Sequence, residues 1–241
     1  MTKRLQTLCS LLEKTDVFAD VGCDHGLCSE YMLKNGLCER LIFSDVSKGS
    51  LQKAETLLAD YVQDGLAVGV LGDGFFGVPK SVGEVLIAGM GGSEIISILS
   101  DEKRGFIPKK FVLQPMHDSE KLRRYLIQNG GYITRDFTFA DGKYYDVICG
   151  RKRADGEEPQ AYSALEYEFG KENLKFRPKA FLERTERLFA ETEKYLQNDA
   201  LSADVRAVRV VSSSVLMLFH GSRLSKYSFA ASARRQISTT A

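Results

Sequence analysis

Short apolar runs alternate with amphipathic stretches along residues 1–150, and few folds accommodate that order. The apolar runs have the length and composition of buried strands and lie at residues 17–21, 41–44, 66–71, 85–88 and 111–113. The stretches between them, such as 27–35 and 48–63, place apolar side chains at helical spacing. Strands that alternate with helices predict a mostly parallel sheet covered by helices on both faces.

The sheet is predicted to end in an antiparallel hairpin. Residues 132–139 and 144–150 are predicted strands, and the Asp141-Gly142 turn between them is a strong hairpin signal. A parallel sheet with such an ending resembles the fold of class I methyltransferases, whereas dehydrogenase Rossmann domains normally lack it. The predicted fold class is therefore α/β, a Rossmann-like, mostly parallel sheet that ends in an antiparallel hairpin, with a small helical C-terminal domain.

Two domains are predicted, over residues 1–152 and 160–241. Residues 151–158 contain one apolar residue, an alanine, and are expected to form a linker. Pro178 is expected to open a long helix. The apolar seam of that helix consists of Phe181, Leu182, Leu188, Phe189 and Leu196. Residues 205–241 lack clear periodicity and are atypical of a helical domain.

Composition argues against a membrane or secreted protein. No stretch approaches the roughly 18 continuous apolar residues of a membrane span, and the N-terminus lacks the apolar region and cleavage site of a signal peptide. Five cysteines without a CxxC pair indicate reduced thiols in the cytoplasm and no metal site. Residues 1–150 carry a net charge of −3 and residues 151–241 of +4, which would favour a polyanion as partner. A solvated tail with a chance bias is the alternative.

The motif Asp20-Val-Gly-Cys-Asp-His-Gly directly follows the first predicted strand. Its glycines allow a tight turn and a close approach to a ligand at the edge where open α/β sheets bind ligands. A carboxylate there suits the positive end of S-adenosylmethionine (AdoMet), and the spacing differs from the G-x-G-x-x-G of nicotinamide-binding domains. The candidate cofactor-binding residues are Asp20, Gly22, Asp24, His25 and Gly26. A tight turn whose carboxylate caps a helix is the alternative.

Acidic or glycine-rich turns also follow the next three predicted strands. The aspartate after the second strand can accept hydrogen bonds from both ribose hydroxyls of a cofactor. The Gly-Asp-Gly turn after the third has an acidic residue where methyltransferases often bind the adenine amino group, and the glycines after the fourth leave room for a base. The candidate cofactor-binding residues here are Asp45, Asp73, Gly74, Gly89, Met90 and Gly91. Ordinary helix caps and turns are the alternative.

The fifth predicted strand is followed by Gln114-Pro-Met-His-Asp, which places an amide, an imidazole and a carboxylate at the same edge. Asp118 is interpreted as the cap of a helix that ends at Asn129-Gly130. His117 is a candidate substrate contact, with an ordinary surface histidine as the alternative. Ser47 is likewise expected to cap the helix over 48–63.

Several of these motifs resemble the bacterial tRNA (adenine-N1)-methyltransferase family that acts on adenine-22 in the D-arm. The resemblance covers about residues 1–150 and rests on DVGCDHG, GDG, AGMGG, QPMHDSEKLRRYLIQNG, the opening Arg4-Leu5 and the segment DGKYYDV. It implies a class I methyltransferase domain followed by a helical, coiled-coil-like domain used for tRNA. Residues 205–241 depart from the Lys/Glu/Leu-rich returning helix of the family.

The resemblance also implies a reaction, with AdoMet as cofactor and tRNA as partner. Because N1 of adenine has a lone pair, an activating base is optional, and a carboxylate could offset the cationic product. The candidate catalytic residues are Asp24, His25 and His117. Basic groups would bind phosphates and tyrosines could stack on a base. The candidate tRNA-binding residues are Arg4, Gln114, Pro115, His117, Arg123, Lys143, Tyr144 and Tyr145.

Three other functions are open from the sequence. The protein could methylate another RNA, a protein or a small molecule with AdoMet, or it could bind AdoMet or RNA without catalysis. An NAD-dependent oxidoreductase is the third alternative, and the missing G-x-G-x-x-G argues against it.

Overall fold

The computed structural model of the protein describes residues 1–196 of the 241-residue chain, with side chains as far as Glu191. Seven strands form one sheet. They are β1 Thr15–Val21, β2 Cys38–Asp45, β3 Ala67–Leu71, β4 Glu84–Met90, β5 Lys110–Pro115, β6 Gly131–Asp141 and β7 Lys143–Lys152.

The strand order in this sheet is β3-β2-β1-β4-β5-β7-β6. The pairs among β1 to β5 are parallel, whereas β7 pairs antiparallel with both β5 and β6. Val21 lies beside Ser44 of β2 and Ile87 of β4, so these strands end at one edge of the sheet. The predicted fold, a mostly parallel Rossmann-like sheet that ends in an antiparallel hairpin, is confirmed.

Nine helices lie in the described part of the chain. They are α1 Lys3–Cys9, α2 Leu27–Lys34, α3 Lys48–Leu57, α4 Ala59–Gln63, α5 Gly92–Ser100, α6 Ser119–Gln128, α7 Ala164–Phe169, α8 Lys171–Phe176 and α9 Lys179–Leu196. The Ser47 hydroxyl accepts a hydrogen bond from the Ser50 amide at 3.3 Å, so the predicted cap of α3 is confirmed. The single helix predicted over 48–63 was wrong, because the backbone leaves helical geometry at Leu58 (φ −101°, ψ 14°).

The two faces of the sheet bury separate apolar clusters, because side chains of successive strand residues point to opposite faces. Phe18 and Leu86 belong to the cluster that includes α1 to α3. Ala19, Val85 and Ile87 belong to the cluster on the other face, with α5 and α6. Phe18 has no exposed surface, and truncation of such a phenylalanine to alanine costs about 3–5 kcal/mol. The packed sheet therefore gives the loops at its edge a rigid base.

The hairpin and the two short helices after it are joined by buried polar contacts. The Asn173 side chain on α8 is fully buried; its Oδ1 accepts from the Thr138 amide at 2.9 Å, and its Nδ2 donates to Thr138 Oγ1 at 2.8 Å. The linker predicted over 151–158 was wrong at its start, because β7 continues to Lys152. Arg151 then binds Glu157 through two hydrogen bonds of 2.7 Å, which close a short loop.

The chain divides into two compact units, Met1–Phe181 and Leu182–Ala241. Helix α9 begins in the first unit and continues through the described part of the second, as far as Leu196. In the predicted seam, Phe181 and Phe189 are buried, but Leu188 is 43% exposed, so its assignment to the seam was wrong. The predicted domain boundaries stay predictions, since residues 205–241 lie outside the described residues.

The described residues contain neither a membrane-spanning helix nor a cluster of metal ligands. None of the helices through Leu196 is long and apolar enough to cross a membrane. In the same part of the chain, no three or more His, Cys, Asp or Glu side chains come together as metal ligands would.

Candidate active site

A cavity of about 660 Å³ lies at the carboxyl ends of β1 to β4. It is lined by the ends of strands and the turns that follow them, by one residue of α1, and by residues of α5 and the segment after it. The predicted residues that line it are Arg4, Gly22, Asp24, Asp45, Asp73, Gly74, Gly89 and Met90. Ligand pockets commonly have volumes of roughly 300–1,000 Å³, so the cavity has the size of a small-molecule site. The predicted edge of the sheet therefore carries a cavity made largely of the predicted turns.

The turn after β1 is held against β2 by its backbone. The amides of Gly22 and Cys23 both donate to the Ser44 carbonyl oxygen, at 2.8 and 3.0 Å. Gly22 has a φ of +74°, and a Cβ there would lie 2.3 Å from Met90 Cε. Because an L side chain is strained at this φ and would also meet Met90, glycine keeps the turn open toward the cavity.

Asp45 at the end of β2 joins this turn to the start of α3. Its Oδ2 accepts from the Asp24 amide at 3.1 Å, and its Oδ1 accepts from the Ser47 amide at 2.8 Å. Each carboxylate oxygen can accept a second hydrogen bond. Because Asp45 lines the cavity, its remaining lone pairs are available to the hydroxyls of a ligand.

Asp20 is placed differently from the sequence prediction. Its carboxyl group is 5% exposed and is not among the groups that line the cavity. Its Oδ2 accepts a hydrogen bond from the Ser29 hydroxyl of α2 at 2.8 Å. Burial raises the pKa of Asp20 to about 6, and repulsion by Asp45 adds to the rise, whereas the bond from Ser29 opposes it. A direct contact to a ligand in the cavity is therefore not supported by this side chain's position.

Arg4 of α1 reaches the cavity from the side of the hairpin. Its amide donates to Asp141 Oδ2 at 2.8 Å, and its Nε donates to Gln114 Oε1 at 2.8 Å. Its guanidinium carbon lies 5.6 Å from the centre of the Tyr145 ring, which stacks on Phe139. Of three predicted substrate-binding residues, Gln114 and Tyr145 thus both contact Arg4, and Arg4 alone of the three lines the cavity.

Gln114 and Pro115 are both buried, and Gln114 has no exposed surface. The Gln114 Nε2 donates to the Pro115 carbonyl oxygen at 3.0 Å. The sequence prediction that Gln114 and Pro115 contact the substrate directly was wrong for this arrangement, because both side chains are enclosed by protein. Gln114 contacts Arg4 instead.

His117 and Asp118 lie at the start of α6. The His117 Nδ1 is 3.0 Å from Asp118 Oδ2, and a Cβ added to Gly91 would lie 2.5 Å from His117 Cε1. Hydrogen bonds from Lys121, Ser93 and His117 lower the pKa of Asp118 to about 2. Asp118 occupies the capping position, but its side chain makes no capping bond, because its backbone is left-handed (φ +58°) and the carboxylate points to Ser93. Its prediction as a side-chain cap was wrong.

Two other predicted residues, His25 and Gly26, lie away from the cavity wall. His25 is exposed, with Nε2 3.1 Å from Lys53 Nζ, and neither it nor His117 is among the lining residues. Gly26 begins α2 with a φ of +71°, and a Cβ there would lie 3.0 Å from Ala54 Cβ of α3. Its lack of a side chain therefore serves the packing of α2 on α3.

Arg123 was predicted to bind phosphates, and this prediction was wrong. The side chain is fully buried, with Nε and Nη2 donating to the two carboxylate oxygens of Asp136 at 2.8–3.1 Å. Its Nη1 donates to the carbonyl oxygens of Tyr167 and Glu168 at 3.0 Å each. Arg123 thus joins α6, β6 and α7. On the hairpin, Lys143 is exposed and Tyr144 is half-buried, and neither lines the cavity.

The cavity also has lining residues that were not among the predicted site residues. They are Val21, Val46, Gly72, Phe75, Ala88, Glu94, Ser97, Ile98, Asp101 and Arg104. Glu94 Oε2 accepts from the Gly91 amide at 2.7 Å, and a glutamate three residues after a helix cap is the signal that could have identified it. Arg104 lies 5.0 Å from the centre of the Phe76 ring, a contact between distant segments that no local pattern predicts.

Comparison with known proteins gives a family for this chain. Residues 1–148 match the family model described as a methyltransferase domain. A Mycoplasma pneumoniae protein named "Putative tRNA methyltransferase" is 34% identical over 143 residues, which are 56% of this chain and 64% of that protein. The Bacillus subtilis tRNA (adenine(22)-N(1))-methyltransferase is 27% identical over 173 residues, 70% of this chain and 71% of that enzyme.

The fold is shared with solved structures as well. A Streptococcus pneumoniae protein described as a "putative tRNA (m1A22) methyltransferase", solved in complex with S-adenosyl-L-methionine, superposes with a TM-score of 0.78 at 22% identity. The superposition covers 90% of this chain and 97% of that one. At this level of identity the likeness concerns the fold.

Proposed function

Because the chain belongs to the methyltransferase-domain family and is related within it to bacterial tRNA methyltransferases, we propose that it transfers a methyl group from AdoMet to N1 of adenine-22 in tRNA. The observation that carries the proposal is the cavity at the ends of β1 to β4. It gathers Asp45, Asp73 and the glycine turn at Gly22 into one ligand-sized space. That edge of an open α/β sheet is where such folds bind ligands.

The residues present fit the proposed cofactor. Asp45 retains lone pairs for the two hydroxyls of a ribose, since each of its oxygens accepts one amide bond. Asp73 can accept from an adenine amino group, and the apolar side chains of Val46, Phe75 and Ile98 in the lining suit the faces of a purine ring. The cavity carries more carboxylates than cationic side chains, which favours a ligand with a sulfonium and an ammonium group.

The cofactor supplies an electrophilic methyl group, because its sulfur is positively charged. The protein must hold the acceptor nitrogen in line with the breaking bond and exclude water, and such orientation can contribute roughly 7–11 kcal/mol to lowering a barrier. Gly89 and Met90 at the end of β4 line the space next to the glycine turn, where the acceptor base would enter. Because N1 of adenine is paired in a helix, the target base must leave its stack or come from an exposed junction.

Of the three predicted catalytic residues, Asp24 is the one that lines the cavity, and its position supports a role there. Its backbone φ of +49° keeps it in the turn against Asp45. A carboxylate near the adenine would offset the positive charge that N1 methylation creates or accept the N6 proton. His117 lies against Gly91 at the end of β4 and could contact the base from outside the lining.

The tRNA would meet the protein at the edge of the sheet that holds the cavity. The tip of the β6–β7 hairpin lies at this edge and presents Lys143 and Tyr144. Basic side chains would bind phosphates and make the affinity fall with salt. We place this activity in the cytoplasm, where the five free thiols would stay reduced.

The experiment is to incubate the purified protein with methyl-labelled AdoMet and unmodified bacterial tRNA, and to analyse the labelled nucleosides. We expect 1-methyladenosine as the labelled product, and an Asp45→Ala variant that loses transfer together with AdoMet affinity. Calorimetry of AdoMet binding separates the possible failures. Binding without transfer to tRNA would overturn the proposed substrate, whereas absence of binding would overturn the proposed cofactor.

A further inference from the structure

Arg4 is held at the cavity wall by contacts of its backbone amide and its guanidinium to β5, β6 and β7. Its amide is held by Asp141 of the hairpin at 2.8 Å, its Nε by Gln114 of β5 at 2.8 Å, and its plane lies near the Tyr145 ring. Helix α1 itself begins at Lys3, so Arg4 is in its first turn. The hydrogen bond to Gln114 and the Tyr145 ring restrict the rotamers of the Arg4 side chain.

Gln114 determines the direction of this guanidinium. The Gln114 side chain has no exposed surface, and its Nε2 donates to the Pro115 carbonyl oxygen at 3.0 Å and to Met116 Sδ at 3.6 Å. The opposite amide orientation would set Nε2 against the Arg4 Nε, two donors facing each other, and would leave Pro115 without its donor. The amide orientation of Gln114 is therefore fixed, with Oε1 accepting the hydrogen bond from Arg4 Nε.

The terminal nitrogens of Arg4 are left for a ligand. Among the described residues, no carboxylate forms an ion pair with the Arg4 guanidinium, which nevertheless lines the cavity. Its Nη2 lies 3.0 Å from the place that a Cβ would take at Gly89, whose φ is +87°. Glycine at 89 therefore leaves the space in which this half-buried cation sits. Guanidinium stays charged in proteins and binds planar oxyanions through two nitrogens.

We propose that Arg4 binds an oxyanion of the reacting pair and that Gln114 is the positioning residue that aims it. The inference rests on the proposed function and names a further part of the same site. Two sources present this chemistry, the carboxylate of the methionyl part of AdoMet and a phosphate of the target nucleotide. The sulfonium and ammonium groups of AdoMet would be repelled by Arg4, so the cofactor can approach it through its carboxylate.

The first arm of the test compares AdoMet with decarboxylated AdoMet, which lacks the carboxylate alone. The dissociation constants of both are measured by calorimetry for the wild type, Arg4→Met and Gln114→Met. If the source is the cofactor, the wild type should bind AdoMet about 10- to 100-fold more tightly than the decarboxylated compound. Arg4→Met should bring this ratio close to one, Gln114→Met should reduce it, and Arg4→Lys should retain part of it.

The ratio distinguishes positioning from a structural effect, because a loosened fold would weaken both ligands equally. Arg104→Met is the matched comparison, since it removes the other arginine of the cavity lining, which lies over Phe76. We expect it to keep the discrimination between the two ligands. Loss of discrimination in Arg104→Met but not in Arg4→Met would assign the oxyanion to Arg104 and overturn the inference.

The second arm measures tRNA affinity as a function of salt. If Arg4 binds a phosphate, Arg4→Met should retain the discrimination between the cofactor compounds but lower the slope of log affinity against log salt by about one. Gln114→Met should then shift the slope in the same direction. If Arg4→Met changes neither the ratio of the two dissociation constants nor the salt slope of tRNA affinity, the inference about Arg4 is overturned, but the proposed function is not. Absence of AdoMet binding to the wild type would overturn the proposed function and the inference with it.

Discussion

At the scale of the residue, the contribution of Asp20 to the free energy of unfolding should depend on pH. Its pKa is raised from 3.8 to about 6, because burial disfavours the ionised form. A carboxyl group with a raised folded-state pKa contributes stability fully below its unfolded pKa, and this contribution is lost as pH rises through the folded pKa. The loss for Asp20 should therefore develop between about pH 4 and pH 7 and amount to about 3 kcal/mol.

Asp20→Asn should remove this pH dependence, because an amide cannot ionise and still accepts the bond from Ser29. We expect the free energy of unfolding of the variant, relative to wild type, to rise by about 3 kcal/mol between pH 4 and pH 7.5. Urea denaturation of both proteins across this range measures it. A difference that stays constant with pH would show that Asp20 titrates normally in the folded protein.

Arg123 and Asp136 give a second prediction at this scale, because both side chains are buried and paired. Arg123→Met leaves the Asp136 carboxylate without its partner, and breaking a buried pair in this way costs about 3–5 kcal/mol. Its neighbour Arg124 has a side chain that is 41% exposed and pairs with Glu120, so Arg124→Met should cost less than about 1 kcal/mol. Chemical denaturation compares the two variants. Equal stability of both would mean that Arg123 is a surface group that is free to bind RNA.

Sequence patterns predicted the roles of residues with local contacts, but not those of residues whose partners are distant in the sequence. Ser47 was identified as a cap because the hydrogen bond it makes is local, to the amide three residues later. Arg123 was misassigned because its partners, Asp136, Tyr167 and Glu168, lie 13 to 45 positions away and the pairing depends on the packing of α7. Gln114 was recognised as part of the site, but its burial, and hence its contact with Arg4, depends on how α1 docks against the hairpin.

At the scale of the element, the packing of α2 on α3 depends on Gly26. A Cβ there would lie 3.0 Å from Ala54 Cβ and 3.3 Å from Ala54 Cα, and the residue has a φ of +71°. Gly36 after α2 has a similar φ of +62°, but a Cβ there would meet nothing within 4 Å. Both glycines therefore have a left-handed backbone, but only Gly26 lacks space for a side chain.

Gly36→Ala should cost about 1–2 kcal/mol, from the left-handed backbone alone. Gly26→Ala should cost about 2–4 kcal/mol, because α3 must also move away from the new methyl group. Midpoints of chemical denaturation and their slopes give both values. Equal costs for the two substitutions would contradict the close contact between α2 and α3.

Most of the helices and strands could be predicted from the sequence. Local patterns of apolar and turn residues indicate their order and the position of the hairpin turn. All five parallel strands and both hairpin strands are confirmed within the limits of their ends. The break at Leu58 was missed because its neighbours keep a helical apolar pattern on both sides. The strand that continues to Lys152 was missed because its polar residues, Arg151 and Lys152, pair across the sheet with Tyr132 and Gly131.

At the scale of the whole molecule, the methyltransferase-domain match over residues 1–148 confirms the methyltransferase part of the resemblance, and the tRNA methyltransferase relatives bear out its relation to that family. The sequence also predicted where the cavity lies, because the carboxyl ends of parallel strands meet at one edge. It could not predict which of the turn residues line the cavity. Asp20 and Gly26 lie in the same motif as Gly22 and Asp24, but they do not line the cavity. The Asp20 carboxyl group binds Ser29 of α2, and the missing side chain of Gly26 makes room for Ala54 of α3.

Methylation of adenine-22 can be tested with a pair of tRNA transcripts that differ at this base alone. Initial rates of methyl transfer from labelled AdoMet are measured on the transcript with adenine at position 22 and on the same transcript with guanine there. We expect transfer to the first transcript and no label above background in the second. Equal labelling of the two transcripts would contradict the proposed methylation of adenine-22.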